Sequence, residues 1–401
     1  MESLISWKCE HGEYSISKNK MITIEEISSL DGFWQMRDKW DYLLKESGMD
    51  NIFLSFDWML TWWRYFSKGN SLFILKIIDD GQLIGIAPLM IHKHVLFGLP
   101  VKTIFFMGTV ISDRMDFILT GPKKKESILE VLGYIMKNAS RWDIVDLQEM
   151  ADITGNSQIL RECIKALNFS AVFGTDTKSF YISFRDVDKR NFSKSFFSRN
   201  IRMRLRAASN RAKRDMASEF EFKRFLNPDN NGVSLEDLLA EMERIEKASW
   251  KGKGCVGVFL NPRTRIFHRE IIKNYFKKGM IDISFLSING RNIAYQYNYF
   301  CNARLYGYST AYDSRYSRLS PGLVLQIYIL ENSCQSMIEE VDCLRGEEEW
   351  KSRLTSDYKI HARTRIFNKT ARSEFLFILQ SLIFPHLKKA KEHILRLKQV
   401  L

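Results

Sequence analysis

The stretch that decides the fold is LYGYSTAYDSRYSRLSPG, residues 305–322, with VDCLRGEEEWK, residues 341–351, behind it. The first segment predicts a tyrosine-rich strand, a basic loop and a helix start, because Ser is a good N-cap and Pro suits the first helical position. The N–H groups of a helix start bind anions, and Gly322 lets a ligand approach the backbone. The second segment predicts a strand that ends in a charged turn. Together they predict a site that holds a phosphorylated cofactor beside reactive side chains.

Length, composition and charge narrow the class of protein. The chain of 401 residues suits two domains, and its 45% hydrophobic and 27% charged residues are ordinary for a globular protein. The net charge of +13 favours anionic partners such as nucleotide cofactors, nucleic acid, anionic sugars or a membrane surface. We find no signal peptide and no apolar stretch of about 18 residues, so we expect a cytoplasmic protein without a transmembrane segment. The six Cys lack CxxC spacing, and no metal site is predicted.

The two halves of the chain repeat one pattern of helices and strands. Each half has two helices, a hairpin, a third strand, a helix, a buried strand and a closing strand, which predicts a duplicated α/β unit. The hairpins have turn residues of the same kind. Asp79-Asp80-Gly81 joins strands predicted over 71–78 and 82–92, and Asn289-Gly290 joins strands predicted over 280–287 and 292–301.

A basic helix is predicted between the halves. Residues 199–214 contain seven Lys or Arg and no acid, whereas Ile201, Ala208 and Ala212 fall on one face at helical spacing. One side of this helix therefore packs against protein, and the other side is basic. We predict an N-terminal domain over 1–190, the basic linker helix over 191–217, a C-terminal domain with the cofactor site over 218–370, and an amphipathic helical tail over 371–401.

The order and spacing of several short motifs resemble the CelD/BcsL-type acetyltransferases, a branch of the GNAT superfamily related to Fem-type aminoacyltransferases. The resemblance covers roughly residues 21–367. The matching pieces are Trp40, residues 51–55, Trp58 with Trp62 and Trp63, residues 83–89, residues 106–108 with Ser112 and Asp113, residues 248–250, Asn289-Gly290 with Ile293 and Ala294, residues 311–313 with Tyr316, residues 320–322, and residues 344–347 with Lys351.

The resemblance implies two tandem GNAT-like domains of the α/β class, with mixed central sheets flanked by helices. It also implies transfer of an acyl group from acetyl-CoA or another acyl-CoA to an amine. Family members often accompany polysaccharide or cell-envelope biosynthesis, so the acceptor is expected to be a small molecule or saccharide amine. This chain has Trp350 and Leu354 where family members often have Tyr and Trp.

The chemistry of acyl transfer selects candidate residues from this stretch. The thioester carbonyl must be polarised, the amine must lose a proton, and the thiolate must gain one. The structural alternatives are strand packing for the tyrosine and first-turn acids of a helix for Glu347. For the helix start with Arg315 and Arg318 the alternative is an ordinary capped helix on a basic surface, and for Arg345 and Lys351 it is salt bridges to the neighbouring acids. The candidates are Tyr312 as acid, Asp313 and Glu347 as bases, Arg315, Arg318, Ser320 and Gly322 for the cofactor, and Arg345 and Lys351 for the substrate.

Two other functions stay open at this point. A Fem-type aminoacyltransferase would bind transfer RNA through the basic helix, including Arg202, Arg206 and Arg211. A non-catalytic protein that binds nucleic acid or an envelope polymer on a degenerate GNAT scaffold is the second alternative, which the departures at Trp350 and Leu354 keep open. The C-terminal tail either packs on the second domain or makes a peripheral membrane contact.

Overall fold

The strands of the first half belong to two different sheets. The computed structural model describes residues 22–49, 51–151, 153–226, 232–254 and 256–383, and the elements below lie within these ranges. The first-half strands are β1 (Thr23–Ile27), β2 (Asn70–Leu72), β3 (Ile74–Asp79), β4 (Gln82–Ala87), β5 (Leu89–Leu96), β6 (Leu99–Phe106), β7 (Ile118–Leu119), β8 (Ile144–Ala151) and β9 (Ser170–Ser183). The helices are α1 (Leu30–Trp34), α2 (Arg37–Glu46), α3 (Phe56–Phe66), α4 (Lys124–Lys137) and α5 (Asn156–Ala166).

The second half adds strands and helices in the predicted order. Its strands are β10 (Glu221–Phe225), β11 (Ile281–Ile288), β12 (Arg291–Cys301), β13 (Arg304–Tyr312), β14 (Glu340–Arg345) and β15 (Tyr358–Phe367). Its helices are α6 (Phe192–Phe196), α7 (Arg199–Met216), α8 (Leu235–Ala248), α9 (Trp250–Gly254), α10 (Pro262–Phe276), α11 (Pro321–Cys334), α12 (Glu349–Leu354) and α13 (Ala371–Ile378). The prediction of a mixed α/β fold with mixed sheets flanked by helices is confirmed.

One sheet runs through both halves. Its strand order is β10-β11-β12-β13-β14-β9-β15-β8-β6-β5-β2, and a smaller sheet has the order β1-β3-β4-β7. Strand β9 of the first half pairs with β14 and β15 of the second half, and β15 also pairs with β8. The last strand of each half is thus inserted beside strands of the other half. The predicted boundary between residues 190 and 218 divides the sequence, but the sheet is continuous across it.

Three sequence-based element assignments were wrong in detail. The strand predicted over 82–92 is two strands in different sheets, because Pro88 has no N–H to donate and the chain changes sheet there. Residues 30–47, whose spacing of apolar residues predicts one helix, form two helices that meet at Gln35–Met36. The two short strands predicted over 169–173 and 179–184 are the single strand β9.

The basic helix α7 forms as predicted and packs on α11. The Ser198 hydroxyl accepts a hydrogen bond from the Ile201 N–H at 3.3 Å and caps the helix. Ile201, Ala208 and Ala212 are buried in a core shared with Val324 of α11. The predicted tail is described only as far as Ile383, and residues 384–401 lie outside the described residues. In the described ranges, no helix combines the length and apolar character needed to cross a membrane.

Candidate functional site

Two parallel strands part in the middle of the large sheet and open a cleft. Strands β13 and β14 pair at Arg304↔Glu340, Leu305↔Val341 and Tyr306↔Asp342, and then diverge. Strand β14 turns away because Leu344 has a positive φ of 55°, and its N–H donates at 2.8 Å to the Asp342 carboxylate. The cleft that opens beyond this point has a volume of about 1060 Å³. The carboxyl ends of parallel strands are the usual place for ligands in such sheets.

The N-terminus of α11 lies at one end of the cleft. A 3₁₀ turn, Ser314–Leu319, leads to Ser320, whose φ of 52° and ψ of 45° are left-handed. The predicted N-cap bond of Ser320 is not formed within the described chain, so the first-turn N–H groups are not satisfied by that hydroxyl. A Cβ placed on Gly322 would lie 3.4 Å from the Tyr312 ring, in ordinary contact. The helix start is therefore open toward the cleft, as an anion site requires.

The structure brings five of the predicted site residues together. Tyr312, Ser320, Gly322, Arg345 and Lys351 all line the cleft, although they come from two separate segments of the chain.

The other four predicted residues do not line the cleft. Asp313 is buried beneath the 3₁₀ turn, where its carboxylate pairs with Arg315 at 2.5 Å, and this hydrogen-bonded pair lowers the pKa of Asp313. Arg318 is exposed, and its carbonyl accepts a hydrogen bond from Arg211 at 2.6 Å. Glu347 is exposed and lies 3.8 Å from the Lys178 ammonium.

Arg345 is held by acids from the first half of the chain. Its guanidinium contacts Asp113 at 2.9 Å and Glu149 at 2.8 Å, and its N–H donates to Asp113 at 3.2 Å. Glu149 is also 3.0 Å from His361, whose other ring nitrogen is 2.6 Å from the Ser179 hydroxyl. Burial raises the pKa of Asp113, although Arg345 opposes the rise. Arg345 therefore connects the cleft wall to acidic residues of the first half of the chain.

Two lysines lie on the facing edges of the diverging strands. Lys351 donates to the carbonyls of Leu344 and Arg345 at 3.2 and 2.6 Å. On the opposite side, Lys251 donates to the Thr310 carbonyl of β13 at 2.9 Å. Burial lowers the pKa of Lys251. These ammonium groups satisfy carbonyls on strand edges that the divergence exposes, and they place positive charge on both sides of the cleft.

The carboxylate that accompanies these lysines is Glu348, the neighbour of the predicted Glu347. Glu348 pairs with Lys351 at 2.9 Å and lines the cleft. Neither Lys251 nor Glu348 was selected from the sequence. Lys251 directly follows Trp250, and Glu348 is one of three consecutive acids, so no periodic pattern distinguishes either residue from its neighbours. Trp250 itself was part of the resemblance. Among the described residues, no group of His, Cys, Asp and Glu is arranged to hold a metal ion.

The basic helix α7 supplies the wall beside the helix start. Arg204 and Arg211 line the cleft together with Ser320 and Gly322. Arg211 is fixed by hydrogen bonds to the carbonyls of Ala207 and Arg318, at 3.1 and 2.6 Å. These arginines, rather than Arg315 and Arg318, therefore lie beside the open N-terminus of α11.

The corresponding place in the first half is filled by protein. Strands β6 and β8 pair in parallel from Thr103↔Ile144 to Phe105↔Asp146, and the segment that follows β6 returns to the edge of β8. There the Met115 N–H donates to the Glu149 carbonyl at 2.9 Å, and Met107, Met115 and Phe117 are buried. This segment also carries Asp113 into the wall of the second-half cleft.

Tyr308 connects the cleft to a buried aromatic cluster. Its hydroxyl donates to the Ile111 carbonyl at 2.8 Å and lies 3.3 Å from His268, which in turn lies 2.7 Å from the Tyr297 hydroxyl. Burial lowers the pKa of His268 to about 3, so this histidine is neutral at ordinary pH. The cluster is a rigid support for β13.

The stability of the protein should fall in mild acid because of His268. Its pKa is about 3 in the folded protein and about 6.5 when unfolded, so protons bind the unfolded state preferentially as the pH falls below about 6.5. The unfolding free energy then decreases by about 2 kcal/mol from about pH 7 to about pH 5. Denaturant unfolding of the parent and His268→Gln tests this, because the gap between them should narrow at the lower pH. A gap that stays constant contradicts the assignment.

Comparison with known proteins agrees with this geometry. Residues 199–352 match the family model described as an acetyltransferase (GNAT) domain, and no curated protein matches the chain. This match contains α7, the diverging strands, the start of α11 and Lys351.

Solved structures share the fold at low sequence identity. A conserved protein of unknown function from Bacteroides thetaiotaomicron VPI-5482 is 13% identical, with 86% of this chain and 100% of that chain covered and a TM-score of 0.51. L-PGS from Bacillus licheniformis is 12% identical, with coverages of 87% and 96% and a TM-score of 0.50. Residues 199–352 are thus similar to a GNAT acetyltransferase domain, and the CelD/BcsL type stays a prediction.

Proposed function

We propose that the protein transfers an acyl group from acyl-CoA to an amine, with acetyl-CoA as the simplest donor. The observation that carries this proposal is the parting of β13 and β14 after Tyr306↔Asp342, which opens a cleft toward the N-terminus of α11. The donor pyrophosphate would lie on the first-turn N–H groups of α11, beside Arg204 and Arg211. Arg315 and Arg318, on the exposed loop, would add positive charge nearby. The pantetheine arm would follow the open edge of β13.

The cleft residues can carry the proton transfers. In the reaction the amine nitrogen bonds to the thioester carbon, the carbon–sulfur bond breaks, and the sulfur takes the electron pair and then a proton. We assign the amine proton to Glu348, because both oxygens of Asp113 are engaged by Arg345. Tyr312 is the proton donor to sulfur. Lys351 and Lys251 would stabilise the negative charge that develops on the carbonyl oxygen.

An amino sugar or another amine-bearing precursor of a saccharide or envelope polymer is the acceptor class that we propose. The cleft wall includes Asp113, Gln296, Arg345 and Lys351, whose charged and amide groups suit a polyhydroxylated acceptor. The donor is a cytoplasmic metabolite, so the proposal places the reaction in the cytoplasm.

Calorimetric titration with acetyl-CoA and with longer acyl-CoA tests the donor. We expect saturable binding at about one site per chain, because the equivalent gap of the first half is filled by its own segment. Absence of thioester binding would contradict the proposal.

A transfer RNA titration in parallel tests the second candidate, a transfer-RNA-dependent aminoacyltransferase. The exposed arginines of α7, including Arg204 and Arg206, favour this candidate. It predicts steeply salt-dependent RNA binding that weakens when Arg202, Arg206 and Arg211 are neutralised. If the protein binds neither acyl-CoA nor transfer RNA, a non-catalytic binding protein would be favoured.

A further inference from the structure

One lysine of the cleft lies on the strand edge that the donor would follow. Lys251 belongs to the short helix α9, and its side-chain nitrogen lies 2.9 Å from the Thr310 carbonyl oxygen of β13. The side chain is 19% exposed and lines the cleft, so it is reached through the cleft. Lys251 is therefore an amine within the proposed donor site as well as a positive charge on its wall.

Thr310 directs its backbone groups to the open edge of β13. In an antiparallel pair, residues that exchange hydrogen bonds alternate with residues whose N–H and C=O groups point the other way. The Asp313 N–H donates to the Ile293 carbonyl of β12 at 2.8 Å, so Ala311 also faces β12 whereas Thr310 faces away from it. This open edge is where we place the pantetheine arm of acyl-CoA. The Lys251 nitrogen thus lies beside the proposed path of the donor.

The backbone around Lys251 is held firmly on the end of α8. The Lys251 N–H donates to the Ser249 hydroxyl at 3.1 Å, and this hydroxyl donates to the Glu246 carbonyl at 2.7 Å. A Cβ on Gly252 would overlap the Lys247 carbonyl oxygen, so the chain can pass this close to α8 only with glycine. The lysine side chain therefore starts from a fixed position at the cleft.

The other lysine of the cleft has a fully occupied nitrogen. Three oxygen atoms lie within 3.2 Å of the Lys351 nitrogen, namely the Leu344 and Arg345 carbonyl oxygens and a carboxylate oxygen of Glu348. Each of the three N–H bonds of this ammonium can thus have its own acceptor. An ammonium bound in this way has no lone pair for attack on a thioester.

Lys251 has fewer acceptors and a more buried nitrogen. Within the described chain its hydrogen bond goes to Thr310, and the Glu246 carboxylate is 3.9 Å away. Burial lowers the pKa of Lys251, although Glu246 opposes the shift. A neutral amine can donate one N–H to Thr310 and still direct its lone pair into the cleft. Lysines that are buried in this way are the ones that act as nucleophiles.

We propose that Lys251 is a self-acylation site, which takes the acyl group of bound acyl-CoA when no acceptor amine occupies the cleft. The inference rests on the donor site proposed above. The neutral amine attacks the thioester carbon, the carbon–sulfur bond breaks, and its electron pair goes to sulfur. The sulfur gains the proton that the nitrogen loses, so the products are an acylated lysine side chain and free CoA.

Acylation of Lys251 would also limit the enzyme. The amide that forms is uncharged, so the cleft would lose one of the two ammonium groups that we assign to the carbonyl oxygen of the thioester. An amide does not pass its acyl group on as a thioester does. A chain that holds donor without acceptor would therefore inactivate itself.

Mass spectrometry of the full chain after incubation with deuterated acetyl-CoA tests the inference. The isotope separates new acetyl groups from any that the chain already carries. We expect labelling of Lys251 to be at least about tenfold faster than labelling of Lys247, an exposed lysine of α8, because a bound donor acts at a high effective concentration. The rate should saturate at the acetyl-CoA concentrations that fill the site in calorimetry.

Three variants show whether the bound donor is responsible. Lys251→Arg keeps the positive charge, and the intact chain should then be labelled only at the level of its exposed lysines. Lys247→Arg is the matched control and should leave the labelling of Lys251 unchanged. Gly322→Val, which is expected to weaken donor binding, should slow the labelling of Lys251 at least about tenfold at low donor concentration.

The outcomes separate this inference from the proposed function. If acetyl-CoA binds in calorimetry and Lys251 stays unlabelled without an acceptor, self-acylation is wrong and the donor site stands. If acetyl-CoA does not bind, both proposals fail. Labelling of Lys251 that rises in proportion to acetyl-CoA, and is equal in the parent and in Gly322→Val, would also overturn the inference, since the reaction would then not need a bound donor.

Discussion

Asp342→Asn should lower the unfolding free energy by about 3–5 kcal/mol, because it leaves the Arg114 guanidinium buried without its counter-charge. Arg114 is 3% and Asp342 is 0% exposed, and they form an ion pair across the two halves of the chain. The pair sits at the last paired position of β13 and β14, Tyr306↔Asp342, where the cleft begins. Lys359, 3.4 Å from Asp342, would also lose part of its electrostatic partner. Chemical denaturation at neutral pH measures the loss.

Two further variants make this result specific. Glu339→Gln is the matched control, because Glu339 forms an exposed pair with Arg185 at 3.1 Å and such pairs contribute about 0–1 kcal/mol. The double variant Arg114→Met with Asp342→Leu removes both charges and should unfold at a higher denaturant concentration than Asp342→Asn. A single variant as stable as the parent would mean that the buried charges do not depend on each other.

Local signals explain the parts of the fold that the sequence predicted well. The sequence predicts a helix over Leu235–Ala248, and α8 has these bounds, because Ser234 caps it and the apolar residues recur at helical spacing. The turns at Asp80-Gly81 and Asn289-Gly290 also form, since these residues adopt positive φ readily. Such features depend on residues within one turn or one helix.

The exchange of closing strands could not be predicted in this way. Strand β9 reads as a strand by composition, but its neighbours β14 and β15 lie far along the chain. Side-chain alternation shows which face of a strand is buried and does not identify its partner. The break between β4 and β5 at Pro88 did have a local signal, because proline has no N–H to donate. The apolar residues on both sides of Pro88 nevertheless favoured the prediction of one continuous strand.

In the candidate site too, local sequence predicted some features, whereas others depend on distant parts of the chain. Tyr312, Ser320 and Gly322 were predicted to lie together because they belong to one strand–loop–helix segment, and they line the cleft. Asp313 and Arg315 belong to that segment too, but they pair with each other in the 3₁₀ turn. The parts of the cleft that come from elsewhere, Lys251 and Asp113 among them, depend on the packing of distant elements and have no signal in the local pattern.

Gly322→Val should weaken acetyl-CoA binding about a hundredfold, because its side chain would occupy the place of the donor phosphates at the start of α11 and block charge-assisted hydrogen bonds to the N–H groups. The variant should fold, since the backbone of Gly322 does not need a positive φ and a Cβ there is in ordinary contact with Tyr312.

Arg211→Gln should weaken donor binding about tenfold, with a smaller dependence on salt.

Lys213→Gln is the matched control for this last experiment, because it removes one positive charge from the same helix at an exposed position that pairs with Glu219 at 2.8 Å. Calorimetric titration of the four proteins with acetyl-CoA separates three arrangements. If Arg211→Gln and Lys213→Gln lose affinity equally, α7 acts only through its overall charge. If Gly322→Val binds like the parent, the donor does not use the helix start. Only a loss confined to Gly322→Val and Arg211→Gln would place the donor phosphates between α7 and α11, as we propose.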